Sequence, residues 1–279
     1  MATTVVTPRK TRIQPDRIFF PLMCLTILVT VWLGFSKTYY GVGMVRAQLP
    51  ATIIHVHAVV MTLWLLTLVV QTSLVSVRKV KLHMAIGLWG FGLACIMPVI
   101  GFMAGVNSLR RNMSPPWSHL TALTFFIIPV AAVLTFTILA AFAYKLRRRP
   151  DYHKRLIFIA TFALMDAAIG RFPYTLGIAA SPLAQTIWLL SFPAIIVVYD
   201  LVTLRRIHRA TWTASLFLAF AFLLGDFVFA NLLAGSHYET LQVYLYNMRQ
   251  TSGHFTSAIV MSYFLITLLL TWLTARFSK

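Results

Sequence analysis

The sequence predicts an all-α, polytopic integral membrane bundle of about eight transmembrane helices, with a central four-helix haem-binding core formed by spans two to five. Three observations lead there. Of the 279 residues, 59% are hydrophobic and 11% are charged, with a mean hydropathy of +0.81, whereas soluble domains carry about a quarter charged residues. The apolar residues gather into runs of roughly 20, the length that crosses the hydrocarbon core as a helix. The basic residues lie between those runs, with Arg171 alone inside one.

Residues 1–17 form a basic N-terminal segment carrying Arg9, Lys10, Arg12 and Arg17. The run that follows, Ile18 to about Phe35, is too long for the core of a cleaved signal peptide and reads as a first span. Further spans are expected at Thr52–Val75, Met84–Val106, His119–Tyr144, Leu156–Ala179, Ala184–Val202, Thr211–Leu233 and His254–Thr274. Residues 18–279 thus form a single transmembrane domain, and the connections are too short to hold a soluble one.

Net charge is +18, from 24 Lys and Arg against 6 Asp and Glu. In a soluble protein this balance would point to nucleic acid. Here 18 of the 24 basic residues fall on alternate connections, counted with the N-terminus inside. The positive-inside rule then accounts for the excess and predicts a cell-membrane protein with both termini cytoplasmic, a lipid partner and no nucleic acid. Cys24 and Cys95 lie in apolar runs without a C-x-x-C pair, so zinc chelation, dithiol chemistry and c-type haem attachment lack support. No Walker loop, dinucleotide fingerprint, H-E-x-x-H or nucleophile elbow occurs.

Histidine carries the remaining chemistry. His57, His83, His119 and His153 stand near the starts of the second to fifth spans, so the alternating topology puts His57 with His119 at the outer leaflet and His83 with His153 at the inner one. Facing imidazoles from two helices supply both axial positions of a haem iron, and such a closed site suits electron transfer. At 100° per residue, His57 shares a face with Met61, Trp64, Leu68 and Gln71, while His55 points elsewhere. The His83 face runs through Gly87, Gly90, Ala94, Met97 and Gly101, a groove that admits either a flat porphyrin or a second helix. His153 and Arg171 are 18 residues apart and share one face of an unbroken span five, roughly 27 Å apart. An intramembrane Arg171 needs a counter-charge, supplied by haem propionates or by Asp226 or Asp166. His208, His237 and His254 read as interfacial residues.

The patterns His57-Ala58-Val59-Val60-Met61, Leu82-His83-Met84-Ala85, His119 and His153 at successive span starts resemble the ascorbate-reducible, di-haem transmembrane cytochrome b family. The chain is also similar to a broad group of bacterial multi-pass membrane proteins, which share its H-A-x-x-M, Gln71, L-H-x-x-x-G and His153-Lys154-Arg155-Leu156 motifs. These resemblances cover about Ile53 to Pro173. The cytochrome family implies one haem b held by the second and fourth helices and another by the third and fifth, that is by His57 with His119 and by His83 with His153. The surroundings Trp117-Ser118-His119-Leu120-Thr121 depart from that family, and a one-haem form held by His83 and His153 stands beside the two-haem form.

The resulting expectation is transmembrane electron transfer between an electron donor and an acceptor, through one or two haems b within 52–179, with Arg171 and Gln71 tuning the cofactor. Two alternatives stand beside it. One is a transporter or assembly factor in which Asp166, Arg171 and Asp226 line a polar path. The other is a metal site around His55, His57 and His119.

Overall fold

The computed structural model describes residues 15–41, 51–114, 121–179 and 182–224, and these are helical with no strand. Helix α1 runs Asp16–Phe35 and continues into a π-helical turn, Ser36–Tyr40. Helix α2 is Thr52–Ser76, α3 is Val80–Arg110 and α4 is Ala122–Lys145. Three short helices follow: α5 Pro150–Ala163, α6 Asp166–Ile169 and α7 Phe172–Leu176. The last two are α8 Pro182–Leu204 and α9 Arg209–Leu224.

Five helices are long and apolar enough to cross a membrane among the described residues: α1 with its π turn, α2, α3, the 125–145 part of α4 and the 184–204 part of α8. Eight spans were expected. The expected seventh run is described only to Leu224, so its Asp226, the following His237 and the eighth run from His254 lie outside the described residues.

The fifth run departs from expectation in kind. The predicted unbroken span Leu156–Ala179 is interrupted at Leu164–Met165 and again at Gly170–Arg171. Pro173 falls in the first turn of α7, where its missing N–H costs nothing but a preceding helix cannot run straight through it. Gly177 then ends α7 in the left-handed conformation, with φ +70°. The shared face assigned to His153 and Arg171 therefore does not exist, because 100° steps accumulate only along one continuous helix.

Burial explains why α5 does not behave as a lipid-facing span. Every residue from Arg155 to Ala163 is buried, and a helix apolar on all sides belongs inside a bundle. α5 is the central strut, packed against α4, α8 and α9, while α1 packs on α2 and on α6 and α7, and α3 joins α2 to α4. Lipid tails are as apolar as leucine, so close packing rather than water exclusion holds such helices together. Gly34 shows this: a Cβ there would overlap the Ala168 backbone, so only glycine lets α1 approach α6 so closely. By contrast Trp89 of α3 is 82% exposed, an arrangement suited to lipid and costly in water.

Proline placement ties α1 to α2. Pro21 has no N–H to offer the Arg17 carbonyl one turn earlier. The Ser76 hydroxyl, at the end of α2, donates to that carbonyl at 2.8 Å. The bond also shows that the start of α1 and the end of α2 share one end of the bundle. Lys154 of α5 donates to Asp16 of α1 at 2.7 Å, Tyr199 of α8 donates to the same carboxylate at 2.5 Å, and Arg155 pairs with Asp200 of α8. This is the basic end, where Arg78, Lys79, Arg147, Arg148 and Arg149 occupy the turns between helices.

Candidate functional site

Two of the four expected ligands meet at the basic end. His83 lies in the first turn of α3 and His153 in the first turn of α5, and their ring centroids are 6.4 Å apart with planes at 74°. Short turns at residues 77–79 and 146–149 bring both helix starts back to the same level. Arg78 turns the first of them by adopting φ 62°, just past the end of α2.

The backbone orients each ring. His153 Nδ1 is 3.1 Å from the Ala143 carbonyl, and His83 Nδ1 is 3.3 Å from the Gln71 carbonyl. A carbonyl can only accept, so for His153 it selects the tautomer protonated at Nδ1 and leaves Nε2 as the atom with a lone pair, while the His83 tautomer depends also on Gln71. Two imidazoles bound end-on to one metal place their centroids about 6.2 Å apart, from bonds of about 2.0 Å and ring half-widths of about 1.1 Å. The observed spacing matches, and the 74° angle is permitted because each ring turns about its own metal–nitrogen axis.

Gln71 is the third component. Its carboxamide is satisfied with its nitrogen donating to the His83 carbonyl at 3.1 Å and its oxygen accepting from Gly87 N–H at 3.0 Å. The same nitrogen lies 2.5 Å from His83 Nδ1. In this arrangement Nδ1 accepts and Nε2 keeps the proton. Metal binding at Nε2 requires the proton on Nδ1, donated to the Gln71 backbone carbonyl, so Gln71 couples its own side-chain orientation to the ligand tautomer.

The glycine face of α3 divides between the two expected uses. A Cβ at Gly90 would meet Thr67 at 3.1 Å, and one at Gly101 would meet Val133 at 3.0 Å, so that part is helix-to-helix packing. At Gly87 the nearest group is the Gln71 carboxamide at 3.9 Å, an ordinary contact. Any room for a planar group on this face therefore lies beside Gly87, next to the imidazoles. Phe91 stands there as well, its ring 5.9 Å from His153 and 4.8 Å from Tyr144.

At the opposite end His119 lies outside the described residues, so the expected partnership of His57 with His119 has no geometry to report. His57 shares its inward face with buried Trp64 and Leu68, and its Nδ1 is enclosed without a hydrogen-bond partner. His55 lies two residues earlier on the same helix and bonds to Tyr39 at 2.9 Å. Since 52–76 is helical, the two rings diverge and the H-x-H chelate, which needs an extended segment, does not form. Among the described residues no group of three or more His, Cys, Asp or Glu is placed to hold a metal ion. Arg171 packs its guanidinium 4.3 Å from the Phe35 ring centroid and donates from Nη1 to the Ala167 carbonyl. Asp166 takes the Gln185 amide at 2.7 Å.

Sequence reasoning missed the most enclosed polar group. Asp200 is fully buried and Arg155 is 2% exposed. Arg155 Nε reaches the two Asp200 oxygens at 3.0 and 3.2 Å, and its Nη2 pairs with Oδ1. The same carboxylate accepts the His208 backbone N–H at 3.1 Å and the Thr211 hydroxyl at 2.5 Å. By sequence Arg155 counts among the 18 basic residues that fall on alternate connections. The available signal was an acid at the end of an apolar run in a chain with only six.

No family model, curated protein or solved structure matches the chain.

Proposed function

We propose that the chain is a b-type haem-binding membrane protein that passes electrons across the bilayer, with His83 and His153 as the axial ligands at the inner face. The observation that carries this reading is the 6.4 Å spacing of two imidazoles from different helices, each with Nδ1 facing a backbone carbonyl. Two protein ligands are too few for a bare transition-metal ion but suffice for an iron whose other four ligands belong to a porphyrin. When bound, that group supplies a one-electron couple. The chain's part is to hold both rings, to select the His153 tautomer through the Ala143 carbonyl, to couple the His83 tautomer to the Gln71 side chain, and to keep water away with Phe91 and Tyr144. Basic side chains on the neighbouring turns, Arg78, Lys79 and Lys81 among them, provide charge complementary to carboxylates at this end.

The reading includes eight spans with both termini cytoplasmic, the basic end facing inward by the positive-inside rule. In its two-haem form His57 and His119 hold a second group at the outer leaflet. The test is a dithionite-reduced minus oxidised spectrum of the purified protein. A Soret band with split visible bands is expected, and His83→Ala and His153→Ala should each remove the inner haem's contribution to it. A colourless wild-type protein reconstituted with haem would overturn the proposal.

One observation favours the rival transporter reading: the broken segment α5–α6–α7 carries Asp166 and Arg171 at its interruptions, as discontinuous helices do at transport sites. Substrate uptake by liposomes holding colourless protein would support that reading.

A further inference from the structure

The end of the bundle remote from His83 and His153 holds three enclosed side-chain atoms with no partner: Thr38 Oγ1, His57 Nδ1 and Arg171 Nε. They come from three separate segments that pack together. Thr38 sits in the π-helical turn, which is pinned to α2 by Tyr39 to His55 and by Tyr40 to Thr62, both at 2.9 Å. The same turn contacts α7, directly after Arg171. A π turn inserted in an α-helix is itself unusual and recurs where side chains must be re-aimed at a ligand.

The chemistry of the three atoms specifies what would satisfy them. Arginine Nε can only donate, and a hydroxyl and an imidazole nitrogen can each donate. An enclosed guanidinium also requires a counter-charge. Its Nη1 bond to Ala167 and its packing on Phe35 hold it in place with Nε still free to donate. Asp166, which receives the Gln185 amide, supplies negative charge near Arg171, and the Nε donor itself remains unmet. The group that meets these demands is a compact oxyanion with several acceptor oxygens. Thr38 lies in the last turn of the first span and His57 in the second turn of α2, so the site is toward the end of two membrane-crossing helices, where headgroups lie. At that depth every phospholipid presents a phosphate.

We propose that Thr38, His57 and Arg171 form a binding site for a phosphate group, of a lipid headgroup or of a free phosphate, at the end of the bundle opposite the paired histidines. Arg171 supplies charge and one fixed donor, Thr38 a second donor, and His57 a third. The site assigns His57 to anion binding rather than to a second haem, and it does not depend on whether His83 and His153 hold one.

The full-length protein, purified in detergent and phosphate-free buffer, is tested in two arms. Native mass spectrometry counts retained phospholipid, and a thermal melt follows titration with inorganic phosphate, with acetate as control. One tightly retained phospholipid identifies the lipid as the source, while saturable stabilisation by phosphate identifies the free anion. Either should weaken at least tenfold in Arg171→Gln and severalfold in Thr38→Val, and stay unchanged in Arg110→Gln, an exposed arginine elsewhere. Should Arg171→Gln fail to fold, Thr38→Val decides alone. The proposal is overturned if neither arm detects binding, if acetate stabilises equally, if the folded variants bind as wild type does, or if His57→Gln removes haem absorbance.

Discussion

Replacing Asp200 by Asn should be among the most damaging single changes at the basic end. The substitution removes the charge opposite Arg155, whose guanidinium is 2% exposed and has Asp200 as its ion-pair partner. Breaking a buried pair from one side costs about 3–5 kcal/mol, because the remaining charge is stranded in a medium that cannot solvate it. At about 2–4 °C per kcal/mol for a chain of this size, the melting midpoint should fall by roughly 10 °C. Arg155→Met should do similar damage. The informative variant is the pair Arg155→Met with Asp200→Leu, which removes both charges together. Its cost should be far below the sum of the singles, leaving mainly the two abandoned donors, His208 N–H and the Thr211 hydroxyl, at about 1–3 kcal/mol each. The assay is a double-mutant cycle from unfolding curves in mixed micelles, followed by tryptophan fluorescence. Additive single effects, or an Asp200→Asn midpoint within a degree or two of wild type, would refute the ion pair as the lock between α5 and α8.

Three further outcomes follow from individual contacts. Ser76→Ala should cost about 1 kcal/mol by orphaning the Arg17 carbonyl, and Pro21→Ala should suppress that cost by restoring an N–H within the helix; the same unfolding curves measure both. Gly34→Ala should destabilise by about 1–3 kcal/mol, because its methyl group meets the Ala168 backbone, which cannot rotate away. Burial, reinforced by the Arg155 cation, holds the His208 imidazole below its ordinary range, and its Nδ1 accepts the Ala210 N–H at 3.1 Å. Below about pH 6.5 the unfolded chain therefore binds a proton that the native chain resists, so this contribution is present above that pH and is lost as pH falls; melts between pH 5 and 8 should show the decline, and His208→Gln should flatten it.

The long spans were legible because the bilayer imposes a length and the chain marks the ends with charge. Thr52–Val75 was expected and Thr52–Ser76 is found, and the first run, expected from Ile18, begins at Asp16. Tertiary packing was not legible in the same way. Hydropathy averages over Leu156–Ala179 hide the interruption, although Asp166, Gly170 and Pro173 mark it once burial is known. The small-residue face of α3 was visible as a pattern, but whether helices or a cofactor fill it depends on Thr67 and Val133 from other helices. Arg155 and Asp200 are 45 residues apart. No local period links them, so a rule that counts basic residues by connection places Arg155 at this end and says nothing of its partner.

The same buried pair bears on the histidines. His153 and Arg155 occupy the first two turns of α5, two residues apart and so about 200° around the helix. One side of this turn is clamped to α8 by Asp200, and the other presents His153 to His83 on α3. A ligand ring must be held to within about half an ångström to keep a metal bound, and a helix start that frayed would not do so. The cost of burying two charges is then set against positional precision where α5 begins, the place where the proposed site needs it. It follows that Asp200→Asn should lower haem occupancy as well as stability. The paired replacement should recover stability while leaving His153 less tightly placed, so that haem dissociates faster from a protein that melts normally. Equal dissociation rates for that variant and wild type would separate the lock from the ligand.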